Sequence, residues 1–142
     1  MADNYLEKRY AEINSGGKTV LRRSTPSLDT LLRRRMAGTE YAGDYITKQL
    51  QLERIAGAAT PCPPGTRYVT DAVVRHLGAD AFIVVDGSAG APLALGMALE
   101  RMFLKAEEMG LHGTLVPSSA PAAAAIGAIG TDIIIAIGKA SS

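Results

Sequence analysis

A single cysteine, Cys62, stands in the 142 residues, so no disulfide forms within the chain. Only two histidines, His76 and His112, accompany it. No set of metal ligands at a recognised spacing can be written, which excludes a structural zinc site. Strongly apolar runs fall short of the ~20 residues that a membrane span needs. The polar, mixed-charge start MADNYLEKRYAEI lacks the apolar centre of a secretory signal. The expectation is a cytoplasmic protein with no membrane partner. Charge of one sign is not in excess either: residues 1–60 carry ten Lys/Arg against seven Asp/Glu, residues 61–142 five against seven, giving +3 and −2. That imbalance is too weak for a nucleic-acid-binding stripe, and the few Phe and Tyr residues are not interleaved with basic ones as in a stacking platform. No nucleic-acid partner is expected.

What is present is globular composition, 47% hydrophobic and 20% charged, in a length that suits one domain with a real core. Asn4 and Glu7 have the spacing of a capping box, and Leu6, Tyr10 and Ile13 fall on one face of a first short helix stopped by Gly16-Gly17. Residues 14–26 read as a linker. A second helix starts near Ser27, with Leu28, Leu31, Leu32 and Met36 at helical spacing. A third runs from about Thr47 to Ala59 and buries Leu52, Ile55, Ala56 and Ala59. TPCPPG, residues 60–65, then forces an irregular loop, because each proline pushes its predecessor out of helical angles.

Ala81–Val85 (AFIVV) and Ile133–Ile137 (IIIAI) are unbroken apolar runs, as expected of strands covered on both faces. A shorter strand, Thr114–Val116, falls between them in the chain. The best helix spans Leu93–Met109, with Leu95, Leu99, Met102, Phe103, Ala106 and Met109 inward and Gly110 as its stop. These elements make an α/β layer structure.

The stretch VVDGSAGAPLALGMALERM, residues 84–102, has the order of a phosphate-binding loop but not its chemistry. A P-loop needs a lysine and a hydroxyl after its second glycine, and Gly87, Gly90 and Gly96 have the wrong intervals for a dinucleotide fingerprint. Thirteen uncharged residues between Asp86 and Glu100 instead suit the buried start of a central helix. Glu107 and Glu108 read as surface carboxylates, and His76 and His112 as surface or strand-edge residues.

Taken as one block, AFIVV, LALGMALERMFLKAEEMGLHGTLV and IIIAIGKASS resemble the nitroreductase family of flavoproteins, notably its short members. Gly96, Leu104, Ala106, Gly110, Leu111, Gly113 and Gly138-Lys139 fall at the family's positions. Residues 31–69 are similar, more loosely, to its R-R-S-x-R-x-[FY] segment, helix and A-P-S-x-x-N loop. The resemblance implies an α+β fold, with a sheet, flanking helices and a buried central helix, assembled as an intertwined homodimer. On this basis residues 1–26 form an N-terminal helix and linker, and residues 27–142 an abbreviated nitroreductase-like domain.

The resemblance further implies bound FMN, NAD(P)H as electron donor and a small electron-poor acceptor such as a nitro compound or quinone. Arg33, Arg34, Arg35 and Lys139 are then the cations for the flavin phosphate, with Arg35 and Lys139 first among them. Pro61, Cys62 and Gly65 correspond to the segment cradling the ring and ribityl chain, and Pro117 and Ser118 to the redox-active ring edge. No catalytic side chain is implied, since the flavin carries the chemistry. Met36, Ala37 and Thr39 replace polar residues of the arginine motif, and the loop lacks its asparagine. An alternative therefore stays open: a nitroreductase-like scaffold without redox activity that binds a ligand or protein partner. The bland alternatives are a solvated helix end for Arg33–Arg35, a surface lysine for Lys139 and a small loop residue for Cys62.

Overall fold

The computed structural model describes residues 26–35, 40–88 and 90–141; the expected first helix lies outside them. Eight elements follow in order: α1 Leu28–Arg35, α2 Gln49–Gly57, β1 Arg67–Val69, β2 Ala81–Asp86, α3 Pro92–Glu108, β3 His112–Val116, α4 Pro121–Ala125 and β4 Asp132–Gly138. The strands form one antiparallel sheet in the order β1-β2-β4-β3. Each element expected from the sequence within the described residues is found with its ends shifted by only a few residues. The short β1 and α4 were not anticipated: three residues give too little periodicity for the first, and PAAAA carries no apolar stripe for the second.

The central pair β2–β4 explains the apolar runs. Register places Ile83 opposite Ile135, Phe82 opposite Ala136 and Val84 opposite Ile134. Alternation then sends Ala81, Ile83, Val85, Ile135 and Ile137 to one face, under α2 and α3. Phe82, Val84, Ile134 and Ala136 go to the other, under Tyr41, Ala79 and the α4 alanines Ala122 and Ala123. Runs of this kind are usual in parallel sheets; here an antiparallel sheet carries them because a thin second layer closes its other face. Each fully buried Ile, Val or Phe contributes about 1.5–3 kcal/mol of burial.

α3 begins with Pro92 in its first turn, after Ala91 in extended geometry. It ends in a Schellman motif: Leu111 N donates to Ala106 O at 2.8 Å, Gly110 N donates to Glu107 O at 3.0 Å, and Gly110 holds φ +80. This closure turns the chain directly into β3. There Gly113 is required for close approach, because a Cβ would stand 2.8 Å from Phe103 Cδ1 and 3.1 Å from Ile137 Cδ1.

One expectation about burial is corrected. The start of α3 is not enclosed by this chain: Leu93 is 79% exposed and Met97 54%, since only Leu95 and Leu99 of that half are buried. In α1 no residue is buried, and Leu28 and Leu32 stand 63% and 44% exposed.

Candidate functional site

The Schellman turn brings together Glu107, which the sequence reading placed on the surface, and His112, which it placed at the surface or a strand edge. Glu107 is the penultimate residue of α3 and His112 the first of β3, and their side chains are only 5% and 3% exposed. His112 Nδ1 donates to Glu107 Oε2, since a carboxylate can only accept. His112 Nε2 is also buried and has no hydrogen-bond partner among the described residues. The surface reading of Glu107 is thereby corrected; His112 does stand on the edge strand β3, but buried. The physical reason is helical spacing: Glu107 lies four residues beyond the inward Phe103, so it falls on the buried stripe. That spacing, with the glycine stop at residue 110, was the available signal.

A cavity of about 310 Å³ opens over this pair, lined by Arg34, Glu107, Leu111, His112, Lys139 and the adjoining backbone. His112 pairs with Gly138 across the β3–β4 ladder, which sets Lys139 immediately beyond it. Arg34 arrives from the last turn of α1. Two cations, Arg34 and Lys139, thus line one space beside the buried Glu107–His112 pair, and the two cations suit a phosphate.

Tyr41 belongs to the second core, beside His112. Its hydroxyl donates to Ala136 O at 3.1 Å and lies 2.9 Å from Thr114 Oγ1, and its ring centroid is 6.1 Å from that of His112. Burial pushes the Tyr41 pKa up from 10.0 to about 12, with the Thr114 hydrogen bond and Arg35 opposing and Glu107 assisting.

The other sequence-expected residues fall elsewhere. Arg35 is already engaged: its guanidinium carbon sits 3.8 Å from the Phe103 ring centroid, and its Nε is 3.4 Å from Glu100 Oε1. Arg33 pairs with Asp29 on the exposed side of α1. Pro61 and Cys62 line a second cavity of about 360 Å³ at the start of α3, with Ala94, Leu95, Ala98 and Arg101. Its walls are mostly apolar, and the Cys62 thiol donates to Thr66 Oγ1 at 3.6 Å. Gly65 lies next to Asp86 at the end of β2, and Pro117 and Ser118 follow β3. These three line neither cavity.

Strand pairing orders these places. Val116 faces Ile134 and Asp86 faces Asp132, so Pro117, Ser118 and Gly65 belong to one end of the sheet. Lys139 and His112 belong to the other, five residues or about 17 Å away along β3. The expected flavin contacts of one chain are therefore spread along α3 and β3, with charge at one end and apolar walls at the other. A phosphate-bearing ring compound has that same polarity.

No family model matches the chain, and no curated protein matches it in sequence. Solved structures do match. A protein from Desulfovibrio desulfuricans described as a nitroreductase in complex with FMN superposes with a TM-score of 0.56 and 17% identity, over 84% of this chain and 89% of that one. The chain has the nitroreductase fold. A nitroreductase-like protein from Bacillus cereus gives 0.56 at 12% identity over 86% and 90% of the two chains. One from Bacteroides thetaiotaomicron, described as an NADH dehydrogenase/NAD(P)H nitroreductase, gives 0.53 at 14% identity over 79% and 87%. On this nitroreductase fold, the cavity of Arg34, His112 and Lys139 stands where the central helix hands over to the next strand.

The raised pKa of Tyr41 makes stability fall at alkaline pH. Below about pH 10 both states keep the phenolic proton; between 10 and about 12 the unfolded chain releases it while the folded chain retains it, so stability declines through that window. Tyr41→Phe is expected to cost about 1–2 kcal/mol at neutral pH through lost hydrogen bonds and to flatten the decline above pH 10. Urea unfolding from pH 8 to 12 checks this, and a parallel decline in both proteins would contradict it.

Proposed function

We propose that this chain is an FMN-dependent oxidoreductase that takes electrons from NAD(P)H and reduces small electron-poor molecules such as nitro compounds or quinones. The observation that carries the reading is the convergence of Lys139 and Arg34 on one cavity of a nitroreductase fold. Those cations, expected from sequence to hold a phosphate, neutralise its charge at the end of β4. Arg34 takes the role first expected of Arg35, whose charge is spent on Phe103 and Glu100.

Pro117 and Ser118, at the far end of β3, are the residues proposed for the ring edge. Pro61 and Cys62 bring apolar walls to the start of α3, where Leu95 and Ala98 exclude water from a bound ring or acceptor. When bound, FMN would be held at its phosphate by Arg34 and Lys139 and would supply the hydride-transfer chemistry between nicotinamide and acceptor. The side chains position, neutralise and desolvate.

A homodimer belongs to the same reading. Leu93 and Met97 on α3 and Leu28 and Leu32 on α1 are exposed apolar residues, more than a monomer of this size ordinarily leaves open on its helices. A second copy covering them would enclose the apolar start of α3. Sedimentation velocity at micromolar concentration is expected to show a dimer that Leu93→Glu with Met97→Glu splits; a monomeric wild-type chain would contradict this.

The cofactor reading is tested by absorbance from 300 to 550 nm after FMN is added and the protein desalted. Retained flavin bands that bleach with NADH or NADPH are expected. Arg34→Ala with Lys139→Ala should weaken FMN binding by about 100-fold or more while leaving riboflavin binding unchanged, as the loss of two charge-assisted contacts of about 1.5–3 kcal/mol each requires. A colourless protein after reconstitution would overturn the reading in favour of a scaffold that binds another ligand or a protein.

A further inference from the structure

We propose that the cavity at the start of α3 takes a flat apolar molecule carrying one carboxylate, and that Arg101 is the residue that selects for that charge. That such a molecule is the electron acceptor rests on the flavin reading above; the binding preference does not.

The cavity holds about 360 Å³, a size that suits a small organic ligand. Two parts of the chain wall it. Ala94, Met97, Ala98 and Arg101 lie at positions i, i+3, i+4 and i+7 of α3 and so form one stripe along the helix. The prolines of the 60–64 loop supply the other wall. Alanine methyls and proline rings offer no hydrogen bond, so the body of a ligand between them has to be apolar. At 1.5 Å per residue the stripe runs about 10 Å from Ala94 to Arg101, the length of one or two aromatic rings with a substituent.

Charge enters this space at one place. Among the described residues that line it, Arg101 alone is charged. Its Nη1 donates to the Thr60 carbonyl oxygen at 3.4 Å, and Thr60 belongs to the same lining, which sets the guanidinium against the loop at one end of the stripe. The carboxylates nearest to it in sequence are engaged elsewhere: Glu100 with Arg35, and Glu108 with Lys105 at 2.7 Å. No ion pair joins Arg101 to a carboxylate among the described residues. One N–H is used on Thr60, and the remaining donors of the planar fork match the two oxygens of a carboxylate. A single cation suits a monoanion, whereas the dianionic phosphate has two cations at the other end of α3. A neutral molecule of the same shape gains the apolar walls but not the ion pair.

The test compares 4-nitrobenzoate with its neutral isostere 4-nitrobenzamide on the full chain, by ¹H–¹⁵N spectra at neutral pH. The acid is expected to bind about tenfold more tightly than the amide, the low end for a charge-assisted contact because Arg101 is exposed. It should shift the backbone signals of Ala94, Ala98 and Arg101 and leave those of His112 and Ala140 in place. Arg101→Gln should bring the two affinities together, and Arg101→Lys should retain part of the difference. In the FMN-loaded protein the acid-to-amide ratio of kcat/KM should fall about tenfold in Arg101→Gln relative to wild type, a comparison that cancels the intrinsic reactivities of the two probes.

Equal affinities in the wild-type chain, no binding of either probe, shifts confined to the Arg34–Lys139 cavity, or a preference that survives Arg101→Gln would each overturn the proposal. A chain that takes no FMN yet prefers the acid through Arg101 would sink the flavin reading and support the proposal. FMN-dependent turnover with no preference for the acid would do the reverse. The wild-type affinities and shift map decide these outcomes even if the glutamine variant fails to fold.

Discussion

The hydrogen bond between Glu107 and His112 joins the end of the longest helix to the start of an edge strand, and the phosphate-suited cavity is built around it. Burying a carboxylate and an imidazole is costly unless each satisfies the other, and removing one partner leaves the second stranded. The Schellman turn at Met109–Leu111 sets their separation, and Leu111 anchors that turn in the main core. Because β3 pairs with β4 in register from His112–Gly138 onward, the same bond also fixes where Lys139 leaves the sheet.

The rest of the molecule supports that junction from two sides. Under α3, Phe103 fills the space that Gly113 leaves by lacking a side chain, and Arg35 lies over the same ring, tying α1 to the helix. On the opposite face Tyr41 fits closely over Gly138, where a Cβ would stand 2.7 Å from its ring. Glycine is thus used at two sheet positions to admit an aromatic ring from each layer. These contacts tie α1 and the Tyr41 segment, remote in sequence, to the α3–β3 junction.

Much of this was legible in the residues. The unbroken runs AFIVV and IIIAI gave two central strands, and the 3.6-residue periodicity of Leu95, Leu99, Met102, Phe103 and Ala106 gave the helix and its buried face, all confirmed. Three segments in a fixed order were enough to point to the nitroreductase fold. The key pair was missed because charge was weighed before position: Glu107 continues the inward stripe, and a histidine just after a glycine stop shares the buried end of the turn. Arg34 rather than Arg35 lines the cavity because adjacent helical residues point about 100° apart, and only the fold shows which one meets Phe103. The exposed leucines of α1 follow the helical spacing read from sequence, but burial within this chain did not follow, because a periodic apolar face says that something covers it without saying what.

We propose that the end of α3, not its glycine-rich beginning, is where this chain meets a phosphate. A crystal structure of the protein grown with FMN tests it most directly. The account predicts the phosphate among Arg34, Lys139 and His112, with the ring extending toward Pro117 and Ser118. A phosphate seated against the 84–92 segment at the start of α3, with the Arg34–Lys139 cavity empty, would contradict it.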